Sequence, residues 1–274
     1  YTSGFSGGSR LASKVAILSN QIQGVVACGA GFSSKLDLIG LKHSFSYSAI
    51  IGDEDMNYSE MIDTKKTLDK LNIENELFIY EINHKWPSQE QIKRAFDWLQ
   101  LEAYRKNLIP NDSENTNAIY TDYSKFAAIK NLTNQFLAIN EYKRIYKNFK
   151  RYYQLDSVKN NIESLKSNKI LTKKQKIHDE LLKEEDLLTI KFKKKFNTDF
   201  DKKTKNTKWW ASEISKLQKK KDKAAGLEKK MLKRIMNKIF ALSIETVSLE
   251  GVVNINQSIL CYDICILTYP KHQY

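Results

Sequence analysis

Three cysteines in 274 residues are too few for a disulfide framework. Cys28 stands alone. Cys261 and Cys265 are four apart, on one face of any helix, where disulfide geometry is poor. All three are expected to be small buried residues. Long hydrophobic runs are missing too: no apolar stretch approaches the roughly 20 residues that a membrane-spanning helix needs. Histidine is scarce, with only His43, His84, His178 and His272, which narrows the choice wherever an imidazole is required. Acidic charge falls short of basic charge in one part only. Residues 1–110 carry 12 Lys and Arg against 13 Asp and Glu, and the remainder carries 33 against 19. The net charge of +13 therefore belongs to the later part, which points to two units of different character. A hydrophobic content of 41% with 28% charged residues excludes a disordered chain, and the length allows a sizeable core and two domains.

Within residues 1–110, strand and helix patterns alternate. Thr2–Phe5 reads as the end of a strand, and Leu11, Val15 and Leu18 at helical spacing place a helix over Ser9–Ser19. Gln23–Gly29 is a short apolar run bounded by glycines, the pattern of a buried parallel strand. His43–Ile51 is a further strand running into Gly52-Asp53-Glu54-Asp55, and Tyr58–Leu71 is a helix. Glu76–Glu81 is the next strand, ending in Asn83-His84-Lys85-Trp86-Pro87. Ser88 caps a helix to about Lys106, with Ile92, Ala95, Phe96 and Leu99 turned inward. The alternation predicts an α/β fold, a parallel sheet with helices on both faces. In such sheets chemistry collects at the carboxyl ends of the strands, and Ser6, Asp55 and His84 each fall just after one.

Gly4-Phe5-Ser6-Gly7-Gly8 fits G-x-S-x-G, a strand-to-helix turn that presents a serine and holds it in a strained backbone conformation. Its flanking glycines are expected where a Cβ would collide with neighbouring backbone. A serine hydroxyl is a weak nucleophile and needs an imidazole to take its proton. The imidazole needs a carboxylate to fix its tautomer and stabilise the imidazolium. His84 and Asp55 are the candidates. Asp53 and Glu54 compete with Asp55, which could instead only cap the Tyr58 helix, and His84 could be a structural histidine packed on Trp86. The tetrahedral intermediate needs two N–H donors, of which the Gly7 backbone would be one. Trp86 and Pro87 are read as shaping their loop, Asn57 and Tyr58 as helix entry, and Arg10 as anchoring a neighbouring loop. The chemistry implies no metal and no organic cofactor.

The segments GFSGGSR at 4–10, GVVACGAGF at 24–32, IIGDEDMNY at 50–58 and INHKWP at 82–87 resemble α/β-hydrolases of the dienelactone hydrolase, carboxylesterase and prolyl-oligopeptidase-like group. The resemblance covers about residues 1–106. In that group a Gly-x-x-Asp turn delivers the acid and a histidine often followed by Trp-Pro delivers the base. It implies Ser6 as nucleophile, Asp55 as acid and His84 as base of a serine hydrolase cleaving a carboxylic ester through an acyl-enzyme. A peptidase of the prolyl-oligopeptidase-like type is the alternative within the same chemistry. Many relatives have glycine before the histidine; Asn83 stands there here, and asparagine also visits positive φ. The chain opens on Tyr1 with the serine turn four residues in. It is therefore expected to be a fragment lacking preceding strands, poorly stable alone, with the second oxyanion donor and any export signal upstream. The compartment stays open.

From 111 to 274 the expectation is a basic helical domain. Nothing from 118 to 268 reads as a strand. Helical patterns cover Ala118–Ile139, Glu141–Tyr153, the spacing Leu155, Val158, Ile162 and Leu165, then Leu171–Phe196, Trp209–Lys220, Leu227–Leu249 and Val252–Leu267, joined as antiparallel pairs. Ala241–Pro270 resembles a tetratricopeptide-type helix pair, with Gly251 at its turn and Tyr269-Pro270 as its stop. Lysine runs at 193–195 and 219–221 interleave with Phe192, Phe196, Trp209 and Trp210. However, Glu180, Glu184, Glu185 and Asp186 alternate with the lysines, as on a solvated face, and the aromatics recur at core spacing. Nucleic acid is therefore disfavoured. A protein partner on the helical array is the natural second function, and a non-catalytic hydrolase-like binding module is the reading from another class.

Overall fold

The computed structural model describes residues 1–19, 21–34, 45–204, 206–249 and 254–269. A four-stranded parallel sheet in the order β1-β2-β3-β4 is followed by a helical region. The elements are β1 (Thr2–Phe5), α1 (Gly7–Ser19), β2 (Gly24–Cys28), β3 (Ser46–Gly52), α2 (Tyr58–Lys70), β4 (Asn75–Tyr80), α3 (Gln89–Arg105), α4 (Ser113–Thr133), α5 (Gln135–Phe149), α6 (Asp156–Ser167), α7 (Lys169–Asp201), α8 (Lys208–Lys223), α9 (Gly226–Leu249) and α10 (Ile255–Thr268). Two compact units are present. One holds Tyr1–Gly52, Glu60–Tyr80 and Lys85–Ile177; the other holds Asp53–Ser59, Glu81–His84 and His178–Tyr274. The change of sequence character near residue 110 is thus a different boundary from the compact division.

In the first unit, β2 and β3 are buried at every position, as strands of a parallel sheet covered on both sides are. The register shows which helix covers which face. Ser13 of α1 meets the Tyr47 hydroxyl at 3.2 Å. Arg94 of α3 lies over the Phe78 ring, and Phe78 pairs with Ile50. Positions 47 and 50 of one strand point to opposite faces, so α1 and α3 cover opposite faces. The leucines whose spacing marked α1 do not form its buried face. Leu11 and Leu18 are 65% and 71% exposed, and the buried face is Ser9, Ala12, Ser13, Ala16 and Ile17. Small side chains let α1 approach the sheet closely, and Ser9 Oγ donates to Ala30 O at 2.7 Å. On α3, Phe96 is exposed, whereas Arg94 and Trp98 are buried beside Ala95 and Leu99.

The helix pair after α3 breaks at Asn134, not near residue 140 as the pattern suggested. Asn134 takes φ −153°, ψ 81°, closing α4 and opening α5 in one step. From α5, Arg144 Nη2 donates to the Leu77 carbonyl of β4 at 2.8 Å, and its Nε lies 3.1 Å from Glu76. That occupies a carbonyl of an edge strand, which otherwise invites pairing with another chain. Glu141 joins Arg144 to Arg94. Burial alone would push the Glu141 carboxyl up, but the two guanidiniums hold it below its ordinary value.

In the second unit the core is built from Phe192 and Phe196 of α7, Trp210, Ile214 and Leu217 of α8, Met231, Leu232, Ile235, Met236 and Ile239 of α9, and Leu260, Cys261 and Ile264 of α10. Phe192, Phe196 and Trp210 of the lysine-rich stretch are therefore core, with Trp209 partly buried against them, and Trp210 Nε1 donates to Asp199 at 2.9 Å. Lys193 and Lys194 are exposed, as a solvated face requires, but Glu185 is fully buried. All three cysteines are buried. Gly251 and Pro270, the turn and stop of the tetratricopeptide-like reading, lie outside the described residues, as do His43 and His272.

Candidate active site

The serine turn belongs to the first unit. β1 ends at Phe5 and α1 begins at Gly7, so Ser6 alone makes the turn and adopts φ +53°. A left-handed residue other than glycine costs about 1–3 kcal/mol and persists only where its surroundings impose it. Here Ser6 N donates to Cys28 O at 2.8 Å, prolonging the β1–β2 ladder, while Ser6 O accepts from Ser9 N and Arg10 N at 3.0 and 3.2 Å. Of the two flanking glycines only one is sterically required. A Cβ on Gly4 would sit 2.2 Å from Gly8 O, whereas one on Gly8 would meet nothing within 4 Å. Because α1 begins at Gly7, the Gly7 N–H is among the first four of the helix, which have no intrahelical acceptor. The helix dipole also favours negative charge there.

Arg10 anchors this turn. Its Nη1 donates to Phe32 O at 3.0 Å, and its guanidinium pairs with both Glu60 oxygens at 2.8 Å. Glu60 Oε1 also accepts from Gly31 N at 3.0 Å. Arg10 was legible as an anchor; Glu60, on the other side of the pair, was not. Burial pushes the Cys28 thiol, behind the turn, up to about 12.

The acid and histidine turns belong to the second unit. His84 Nδ1 lies 2.8 Å from Asp55 Oδ2. Asp55 Oδ1 accepts from Asn57 N at 2.8 Å, and its backbone carbonyl accepts from Tyr58 N at 2.9 Å. The two readings of Asp55, helix entry and imidazole partner, are thus both realised, one carboxylate oxygen to each. With Nδ1–H donated to a carboxylate, the neutral ring keeps its lone pair on Nε2, the tautomer a general base needs. Glu54 N donates to Ile82 O at 3.1 Å, joining the acid turn to the histidine turn.

Asp53 and Glu54, the rival acids, are engaged elsewhere: Asp53 with Lys230 at 2.5 Å and Glu54 with Lys233 at 2.9 Å. Burial raises the Asp53 carboxyl above its ordinary value despite Lys230. Asn83 is not among the positive-φ residues, so this turn makes no left-handed demand and an asparagine meets no steric objection. His178 is a core histidine, its Nε2 3.0 Å from the Tyr58 hydroxyl. Trp86 is 63% exposed, and its ring lies 5.2 Å from that of Phe5.

In chain order Ser6 follows β1, Asp55 follows β3 and His84 follows β4. Among the described residues no group of three or more His, Cys, Asp or Glu is placed to hold a metal ion, and no helix is long and apolar enough to cross a membrane. Comparisons with protein-family models, curated proteins and solved structures return no match.

Proposed function

We propose that the chain carries the nucleophile, base and acid of a serine hydrolase of the α/β-hydrolase type, acting on a carboxylic ester. The observation that carries this reading is the 2.8 Å bond from His84 Nδ1 to buried Asp55. In support, Ser6 is held at φ +53° and all three residues leave the carboxyl ends of parallel strands, where ligands of open α/β sheets bind. The neighbour of Ser6, Phe5, also touches Trp86, two residues beyond His84.

In this mechanism His84 Nε2 takes the Ser6 hydroxyl proton as Oγ attacks the ester carbonyl. Asp55 stabilises the imidazolium that forms, and the Gly7 N–H donates to the oxyanion. Collapse expels the alkoxide, which receives the proton from His84 and leaves an acyl group on Ser6. Water, deprotonated by His84, then attacks the acyl carbon; collapse breaks the bond to Ser6 Oγ, which takes the proton back from His84, and releases the acid. A peptidase of the prolyl-oligopeptidase-like type would use the same groups on an amide.

A fluorophosphonate should label the protein at Ser6. Ser6→Ala should abolish labelling, and Asp55→Asn should slow it by about 10⁴-fold, the scale for losing the tautomer-fixing carboxylate. A folded wild-type protein that takes no label sinks the reading.

A further inference from the structure

One face of α9 grips the acid turn. Lys230, Lys233, Arg234 and Lys238 recur at helical spacing, so they share that face. Lys230 pairs with Asp53 and Lys233 with both Glu54 oxygens, at 3.0 and 2.9 Å. Lys238 Nζ donates to Ser59 Oγ at 2.8 Å and to Glu185 at 2.9 Å. Arg234 is at the centre. Its Nη1 donates to the Asp53 backbone carbonyl at 2.7 Å, its Nε and Nη2 donate to Glu185 at 2.9 and 2.5 Å, and its guanidinium lies 4.6 Å from the Tyr58 ring centroid. Both Arg234 and Glu185 are buried. The turn is thus held on both sides of Asp55, by its Asp53 carbonyl before and by the Tyr58 ring and Ser59 after.

We propose that Arg234 is a positioning residue for the Asp55–His84 pair, fixing through the Asp53 carbonyl the turn from which Asp55 reaches the imidazole. Arginine is suited to this because a planar fork can serve a backbone carbonyl and a carboxylate at once, which a lysine ammonium on a flexible stem cannot. Glu185 neutralises the buried cation and sets the direction of its fork. The C-terminal helices then belong to the catalytic machinery, an inference that rests on the hydrolase reading for its activity arm but not for its geometric arm.

The test uses the full chain with Arg234→Met and Arg234→Lys. The geometric readout is the low-field proton resonance of His84 Nδ1–H, assigned by its loss in Asp55→Asn. The activity readout is the fluorophosphonate labelling rate at Ser6, and a cooperative circular-dichroism melt establishes folding. Both variants should shift or broaden the resonance and slow labelling about tenfold or more, since small misplacements of a catalytic group cost one to two decades. Arg234→Lys, which keeps the charge, should fail to restore either. A folded Arg234→Lys protein with wild-type resonance and rate overturns the proposal, even where Arg234→Met does not fold. If the wild type takes no label, the hydrolase reading fails, while the resonance still decides whether Arg234 sets the Asp55–His84 geometry.

Discussion

Replacing Gly4 and Gly8 by alanine, one at a time, should move stability in opposite directions although both belong to one five-residue motif. An alanine Cβ at Gly4 would lie 2.2 Å from Gly8 O, 2.3 Å from Gly8 C and 2.7 Å from Ser9 N. Those are backbone atoms of the turn itself, and the first two lie more than an ångström inside ordinary contact of about 3.5 Å. No side chain can swing aside, so relief requires parting β1 from the first turn of α1. The cost is at the upper end of overpacking, about 3 kcal/mol. At Gly8 the added methyl enters open space, and Gly8 is not among the positive-φ glycines. Alanine there removes unfolded-chain entropy without strain, a gain of about 0.4–1 kcal/mol. At about 2–4 °C per kcal/mol for a chain of this size, Gly4→Ala should lower the melting temperature by about 6–12 °C, and Gly8→Ala should raise it by about 1–4 °C. Scanning calorimetry on the full chain reads both. Gly4→Ala should also slow fluorophosphonate labelling, because the strain is released at Ser6, and Gly8→Ala should leave it near the wild-type rate. Equal losses in the two variants, or a harmless Gly4→Ala, would refute the account of the turn.

Two further outcomes follow from burial. Cys28 and Cys265 have their thiols pushed up to about 12 and about 11 by burial, and Cys261 is buried as well; Ellman's reagent should titrate no thiol in the native protein and three in denaturant, and rapid native reaction of any one would contradict the packing. His178 is held below its ordinary 6.5 first by burial, which outweighs an opposing pull from Asp179; Arg234 adds a smaller push down and Glu185 a smaller pull up. Its folded pKa is depressed, so the unfolded chain binds the proton more readily, and stability present above about 6.5 is lost as pH falls below it. Denaturant unfolding at pH 7.5 and 5.5 should show that loss, and His178→Gln should flatten it; an unchanged slope in the variant would count against His178 as its source.

The sheet was legible because period and punctuation agree. Gly24–Cys28 is a short apolar run bounded by turn residues, and Ser46–Gly52 runs into Gly52-Asp53, lengths and bounds that favour strands over helices. The helix after the serine was legible as an element but not in its facing. Hydrophobic periodicity favours Leu11, Val15 and Leu18, yet close approach to a sheet selects the smallest side chains, and Ser9, Ala12, Ser13 and Ala16 line the buried face. The break at Asn134 was missed because the apolar residues of α4 and α5 run on in compatible spacing, while the backbone of one polar residue makes the turn. At the site, local pattern reaches what chain order controls: which aspartate follows β3 and which histidine follows β4. It does not reach Glu60 or Glu185, whose roles are set by partners 50 and 49 residues away.

The basic tail shows where composition misleads and where it still carries a signal. Lysines at 230, 233 and 238 carry no local mark of their partners, because nothing nearby in sequence distinguishes a lysine bound to a distant turn from one in water. The counter-charges that explain them, Asp53, Glu54 and Glu185, lie far away in sequence. Part of the positive excess after residue 110 is therefore internal, matched to an acidic turn in the near-neutral part of the chain. Arginine was the available clue. Among 33 basic residues after 110 only Arg144, Arg151 and Arg234 are arginines, and two of those three, Arg144 and Arg234, are buried with their forks on a backbone carbonyl and a carboxylate. In a region where lysine serves the surface, a residue chosen for planar, multidentate bonding marks a place where charge has been taken inside. On α9 that place is the turn that carries Asp55.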